Sequence, residues 1–158
     1  MDTFPFFEWL DTSRLAQMSK AYGGVFAVVQ MFHLLSLATL GGMVLLSDLR
    51  LLGVMLRDVP SEVVAENTDR WFTIALIGSL LSGVFMSSAV ALKLYYNEMF
   101  WAKMTAFAAG VVFVYAIRRP LLRFDHASLS PWVLRAVAVT SLTLWFTVAA
   151  SGRWIGFS

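Results

Sequence analysis

One histidine lies inside an uncharged, apolar stretch of this chain, where an ionisable side chain is best placed for chemistry within a membrane. Residues 22–46 contain no Asp, Glu, Lys or Arg, and His33 lies near their middle. A neutral imidazole can donate a hydrogen bond from one ring nitrogen while the other nitrogen binds a metal or accepts a proton. His33 is therefore the candidate metal-binding and cofactor-binding residue.

Two other polar residues share a helix flank with His33. Gln30, His33 and Ser36 follow one another at intervals of three residues, which places them on one side of a helix. Ionisable side chains at bilayer depth are costly to expose to lipid and usually face protein. We expect this flank to face the other helices, with Gln30 and Ser36 as candidate binding residues beside His33.

A second ionisable residue, Lys103, lies in the first turn of another apolar stretch, residues 100–117. At the rise of a helix, His33 lies ~12–16 Å below the membrane surface nearest the chain termini, and Lys103 enters from that surface. The two side chains could share one cavity, where a haem propionate or a quinone carbonyl would suit Lys103. Alternatively, His33 hydrogen-bonds a Ser or Thr of a neighbouring helix while Lys103 extends outward.

Composition indicates a membrane protein. Of the 158 residues, 59% are apolar and 14% charged, with a mean hydropathy of +0.73, whereas soluble domains carry roughly 25% charged residues. The absence of cysteine excludes disulfides, thiolate catalysis, iron–sulfur clusters and Cys-type zinc sites. A net charge of +2 does not indicate nucleic-acid binding; the expected partner is the lipid bilayer. The N-terminus lacks the basic region and cleavage site of a signal peptide.

Four apolar stretches predict four membrane-spanning helices, at about residues 22–46, 71–94, 100–117 and 131–152 of one domain, residues 1–158. Because the connections are short, the predicted fold is an all-α, integral membrane four-helix bundle. The aromatic-rich residues 3–20 predict an N-terminal helix in the membrane interface. Ser130-Pro131 predicts the start of the fourth span. Small residues in the second and third spans predict close helix packing; they are Gly78, Ser79, Ser82, Gly83, Ser87, Ala102, Ala106 and Gly110.

The basic residues favour one orientation in a bacterial inner membrane. Seven lie on the side of the first and third loops and five on the side of the termini, which favours periplasmic termini because cytoplasmic loops carry the excess of Lys and Arg. The seven are Arg50, Arg57, Arg70, Arg118, Arg119, Arg123 and Arg135. The five are Arg14, Lys20, Lys93, Lys103 and Arg153.

Charged residues near the span ends have local interpretations. We interpret Asp48 and Arg50 as an interfacial ion pair that fixes the end of the first span. Arg118, Arg119 and Arg123 are expected to contact anionic lipid headgroups. Docking of a partner subunit is the alternative for these three arginines.

Three segments together resemble a known family. They are FFEWL at residues 6–10, the first span with His33 closing on DLRLLG at residues 48–53, and NEMFWAK at residues 97–103. The chain resembles an uncharacterised family of small bacterial four-span membrane proteins over most of residues 6–123. More distantly it is similar to the superfamily of the copper-resistance D-type proteins and the HemJ-type protoporphyrinogen oxidases. That resemblance implies that His33 contacts haem or porphyrin, with Arg50 and Lys103 as accompanying cations.

The sequence also limits how haem b could be held. His33 is the one histidine at membrane depth, and His126 falls in a loop on the opposite side, so two-histidine ligation within one chain is excluded. What remains is His33 with Met86, with an open position, or at a dimer interface. Trp145, in the middle of the fourth span, needs an acceptor for its N–H and belongs either to the core or to a cofactor wall.

Two functional hypotheses follow. The first is a haem- or porphyrin-associated redox or electron-transfer protein centred on His33. The second is a non-catalytic structural or assembly subunit of a larger membrane complex, or of a homo-oligomer, in which His33 is a satisfied core residue. A copper or small-solute permease is a third interpretation. No serine-nucleophile elbow, paired-carboxylate site, phosphate loop or HExxH helix occurs, so no catalytic residue is assigned.

Overall fold

The structure is a computed structural model and describes residues 3–124 and 129–157, with the side chains of Arg123 and Phe124 outside the description. These described residues form the α-helices α1 (Phe4–Thr12), α2 (Arg14–Ala21), α3 (Gly23–Leu51), α4 (Ser61–Ser88), α5 (Ala91–Tyr95), α6 (Glu98–Val112), α7 (Arg119–Phe124) and α8 (Pro131–Trp154). A π-helical segment, Phe113–Arg118, joins α6 to α7. The described residues contain no strand.

In the part of the chain that the structure describes, four helices are long and apolar enough to cross a membrane: Gly23–Leu51, Ser61–Ser88, Glu98–Leu122 and Pro131–Trp154. The third combines α6, the π-helical segment and most of α7. α3 packs mainly against α4, α6 packs mainly against α8, and α3 also contacts α8. The predicted all-α membrane four-helix bundle is confirmed.

Local sequence signals explain several helix boundaries. The side chain of Asn97 accepts a hydrogen bond from the Phe100 N–H (3.0 Å) at the start of α6. Ser130 accepts one from the Val133 N–H (3.4 Å) ahead of Pro131, as predicted for the start of α8. After α3, Gly53 has φ +71°, a conformation that glycine adopts without steric cost. The polar residues 61–70, outside the predicted second span, form the first turns of α4.

The main core joins all four spans. Its buried members are Leu40, Val44, Phe72, Ala75, Leu76, Ala106, Val114, Trp145 and Val148. The Trp145 ring packs edge-on against Phe72 and Phe107, with centroid separations of 5.4 and 6.0 Å. Gly110, in the predicted close-packing seam of the third span, lies against the same indole: a Cβ at Gly110 would be 3.4 Å from ring atoms of Trp145.

The N-terminal helices cover the end of the bundle that holds the chain termini. Phe7 and Leu10 of α1 are buried against Ala91 and Leu94 of α5. On the other side of α1, Phe6 and Trp9 have exposed fractions of 57% and 63%. α1 therefore has the two apolar faces, one inward and one outward, expected of a helix between the bundle and the membrane interface.

Charged residues at the loop end of the bundle differ from the sequence prediction. Asp48 pairs with Arg118 (2.9 Å), while the Arg50 Nε donates to the carbonyl of Val59 (2.6 Å). The predicted Asp48–Arg50 pair is therefore wrong: the loop folds back so that its carbonyls engage Arg50, and Asp48 turns into the bundle.

Two of the three arginines expected at lipid headgroups also have protein partners. Arg118 is buried, so its predicted headgroup contact is wrong. The Arg119 Nη2 donates to the Thr73 hydroxyl (2.8 Å), and its Nε lies 3.1 Å from an Asp69 carboxylate oxygen. Arg119 thus joins α7 to α4. The side chain of Arg123 and all of His126 lie outside the described residues.

Candidate functional site

The candidate site lies where α3 and α4 approach closely. A Cβ built on Gly78 of α4 would be 2.7 Å from the Ser36 Oγ, and one built on Gly83 would be 3.4 Å from the His33 Cε1. Ser36 and Ser82 are buried, and His33 is half-buried. The small residues of α4 therefore provide the space into which the polar side of α3 packs.

The His33 imidazole faces α4 and makes a hydrogen bond there. Its Nδ1 lies 2.8 Å from the Ser82 Oγ. The Ser82 hydroxyl in turn donates to the Gly78 carbonyl, 2.5 Å away and one helical turn earlier. His33 thus faces protein, as predicted, and its partner is a serine of the neighbouring helix. With Nδ1 engaged, Nε2 is the ring nitrogen that remains for a ligand or a proton.

Lys103 lies on the same end of the bundle, near the last turn of α8. A Cβ built on Gly152 would be 3.4 Å from the Lys103 Nζ, so the lysine side chain crosses this glycine. Lys103 is half-buried and has no hydrogen bond or ion pair within residues 3–124 and 129–157. The C-terminal end of a helix attracts cations, and α8 ends at Trp154.

Only some of the predicted site residues lie near one another in the structure. His33 and Ser36 face α4, whereas Gln30 is exposed. Arg50 follows His33 by 17 residues along the same helix, which is ~25 Å at helical rise. Arg50 is therefore not placed with His33 and Lys103, and Gln30, one helical turn before His33, has an exposed side chain.

Potential metal ligands near His33 are few. Met86, the candidate axial ligand, is half-buried one turn beyond Ser82 on α4. Among the described residues, no group of three or more His, Cys, Asp or Glu side chains is placed to hold a metal ion. Among the described residues, His33 is thus the one histidine available to such a metal.

Ser82 and Gly152 were not among the site residues predicted from the sequence. Ser82 was identified as a small residue for packing, and the structure adds a hydrogen bond to the imidazole. Gly152 precedes Arg153 near the end of the last span and resembles an ordinary helix-end glycine. A usable signal for Ser82 was its place in a serine-rich second span opposite a membrane-depth histidine.

An apolar groove lies between α3 and α8, away from His33. It has a volume of about 470 Å³ and is lined by residues that include Gly41, Val44, Trp145 and Phe146. No atom lies within 4 Å of a Cβ built on Gly41. The groove is therefore open at bilayer depth, and its lining is largely hydrocarbon.

Comparison with known proteins identifies the family. The model of a family described as "Family of unknown function (DUF6644)" matches residues 6–158. The chain belongs to this family. No curated protein and no solved structure matches the chain. The predicted resemblance to an uncharacterised family is thus confirmed, and DUF6644 membership carries no activity with it.

Proposed function

We propose that this DUF6644 member is a small membrane protein that binds haem b or a porphyrin and has a redox or electron-transfer role. The observation that carries the proposal is the hydrogen bond between the His33 Nδ1 and the Ser82 Oγ (2.8 Å), which engages one ring nitrogen and leaves Nε2 as the nitrogen for a ligand. Lys103, on the same end of the bundle, is a half-buried lysine with no ion pair within residues 3–124 and 129–157.

The residues present fit such a group in chemistry. A neutral imidazole with one nitrogen held by a protein acceptor is the usual form of a histidine metal ligand, since the second bond fixes its orientation. A half-buried ammonium is a suitable partner for an anionic substituent such as a propionate. His33 would hold the iron or contact the porphyrin, and Lys103 would hold the carboxylate. A bound haem would supply one-electron redox chemistry.

A reduced-minus-oxidised absorption spectrum of protein purified in mild detergent tests the proposal. Haem binding predicts a Soret band in the parent protein that is lost in His33→Ala. Ser79→Ala is the matched control, because Ser79 is a buried residue of α4 whose hydroxyl donates to the Leu76 carbonyl. A protein that stays colourless after expression with added haem precursor, and after titration with haem and with protoporphyrin, would refute the proposal.

The alternative function is a non-catalytic subunit of a larger membrane complex or of a homo-oligomer. The observation in its favour is the open groove beside Gly41, since small residues without neighbours let another helix approach closely. Gly41→Leu would weaken such an association and leave the His33 site unchanged. Co-purification lost in Gly41→Leu but kept in His33→Ala would favour this function.

We further propose a bacterial inner-membrane location with periplasmic termini, and a distant relation to the copper-resistance D-type and HemJ-type proteins. Because Arg118 is buried, six basic residues remain on the loop side against five on the terminal side. The excess of basic residues is therefore still on the loop side. Since the chain has no cysteine, single replacements report the orientation directly. In intact spheroplasts, a membrane-impermeant thiol reagent should label Thr3→Cys and spare Asp58→Cys. The reverse pattern would overturn the orientation.

A further inference from the structure

The hydroxyl of Ser82 stands between two other polar atoms, and it has only one proton to share between them. The Ser82 Oγ lies 2.5 Å from the Gly78 carbonyl oxygen and 2.8 Å from the His33 Nδ1. A carbonyl oxygen has no proton of its own and can only accept. A hydroxyl oxygen and a carbonyl oxygen at 2.5 Å repel each other unless the hydroxyl proton lies between them. The proton of Ser82 therefore points to Gly78.

This assignment determines the protonation of His33. Because the Ser82 proton is used toward Gly78, the hydrogen bond between Ser82 and His33 needs a proton on the imidazole. That proton lies on Nδ1, the ring nitrogen 2.8 Å from the Ser82 Oγ. The Ser79 carbonyl lies 3.4 Å from the Ser82 Oγ and is a weaker acceptor for the Ser82 proton than the Gly78 carbonyl. A neutral imidazole carries a proton on one nitrogen only, so Nε2 keeps a lone pair.

We infer that Ser82 is a positioning residue that holds His33 as the Nδ1–H tautomer and presents the Nε2 lone pair as the ligand-binding or proton-accepting atom of the site. Gly83 lies beside the ring, since a Cβ there would be in ordinary contact with the His33 Cε1 at 3.4 Å. The use of Nε2 for a metal or porphyrin rests on the proposed function, whereas the tautomer itself does not.

The tautomer can be measured without any ligand. Protein labelled with ¹⁵N-histidine is prepared in lipid nanodiscs at neutral pH in a His126→Gln background, so that His33 is the one remaining histidine. Proton–nitrogen correlation spectra then distinguish a protonated ring nitrogen from an unprotonated one. We expect Nδ1 protonated and Nε2 unprotonated as the dominant form.

Three variants isolate the effect of the serine. Ser82→Ala removes the acceptor, and we expect Nδ1–H to be lost as the dominant form, since free histidine favours the Nε2–H tautomer. Ser82→Thr keeps a hydroxyl and should keep the Nδ1–H form. Ser79→Ala, the matched serine removal on the same helix, should leave the tautomer unchanged.

Two results would overturn the inference. One is an Nε2–H or doubly protonated imidazole in the His126→Gln protein, which is decided even if Ser82→Ala fails to fold. The other is a folded Ser82→Ala protein whose tautomer matches its parent. A colourless protein with the Nδ1–H form would refute haem binding while leaving the role of Ser82 intact, so the two proposals fail separately.

Discussion

The Asp48 carboxylate and the Arg118 guanidinium lie 2.9 Å apart although their side chains are almost fully buried, with exposed fractions of 0% and 7%. The same Arg118 Nη2 donates to the Ser47 hydroxyl (2.5 Å). The second carboxylate oxygen, Asp48 Oδ2, has no hydrogen-bond partner among the described residues. This pair joins the first span to the π-helical segment of the third span. π-helical turns within α-helices are frequent at functional sites.

Asp48→Asn should lower the free energy of unfolding by about 3–5 kcal/mol, because it leaves the Arg118 charge buried and uncompensated. Asp48→Leu combined with Arg118→Met removes both charges and should recover most of that loss. Unfolding by heat or SDS titration in detergent, followed by circular dichroism, measures both effects.

Asp11→Asn is the control for this prediction. Asp11 pairs with Lys20 at 2.8 Å, but the two side chains are 25% and 45% exposed. An exposed pair contributes at most about 1 kcal/mol. If Asp48→Asn were no more destabilising than Asp11→Asn, the buried pair would not hold the first and third spans together.

Gly78→Ala should destabilise the contact between α3 and α4 by about 1–3 kcal/mol, the usual range for overpacking. The added Cβ would lie 2.7 Å from the Ser36 Oγ. Ser36→Ala in the same protein removes that oxygen and should restore most of the stability. Gly41→Ala adds the same methyl group where no atom lies within 4 Å, and should leave the unfolding midpoint unchanged or raise it, since alanine favours the helix. Equal effects of Gly78→Ala and Gly41→Ala would contradict the close approach.

The parts of the fold predicted from sequence follow from chemistry that acts locally. A membrane span needs an apolar run of sufficient length, and this alone located four helices. The capping by Ser130 ahead of Pro131 depends on adjacent residues and was also predicted. The placement of His33 against α4 followed from the cost of exposing an imidazole to lipid.

The predicted Asp48–Arg50 ion pair is wrong because the partner of Asp48 depends on long-range geometry. Arg50 is two residues from Asp48, yet the partner of Asp48 is Arg118, which lies 70 residues away. Nothing in the local sequence shows that the helix turns π-helical at residues 113–118 and directs Arg118 inward and Arg119 toward α4. The same limit applies to Lys103, whose neighbour Gly152 comes from the other end of the chain.

Lys103→Met should leave the protein as stable as the parent or more stable. Unlike Arg118, Lys103 has no ion-pair partner within residues 3–124 and 129–157. Its removal therefore leaves no buried carboxylate unpaired. If Lys103 holds an anionic ligand, Lys103→Met should weaken binding of protoporphyrin roughly 10- to 100-fold, which corresponds to the ~1.5–3 kcal/mol of a charged hydrogen bond.

Lys20→Met, a lysine replacement in α2, is the control for binding, and fluorescence titration with protoporphyrin is the measurement. Unfolding of Lys103→Met under mild conditions would assign Lys103 a structural role. Unchanged affinity in a stable Lys103→Met protein would remove it from the ligand site.

Trp145→Phe should cost far less stability than Trp145→Ala. The Trp145 indole N–H is buried without an acceptor among the described residues, a defect worth about 1–3 kcal/mol that phenylalanine removes. Phenylalanine also keeps most of the edge contacts to Phe72 and Phe107, whereas alanine leaves a cavity that typically costs about 3–5 kcal/mol. Trp132→Phe, at a site 76% exposed, should change the unfolding midpoint little. Equal destabilisation by Trp145→Phe and Trp145→Ala would contradict this prediction. It would indicate that a molecule in the membrane accepts a hydrogen bond from the indole N–H, and the groove beside Trp145 would be the place to search for it.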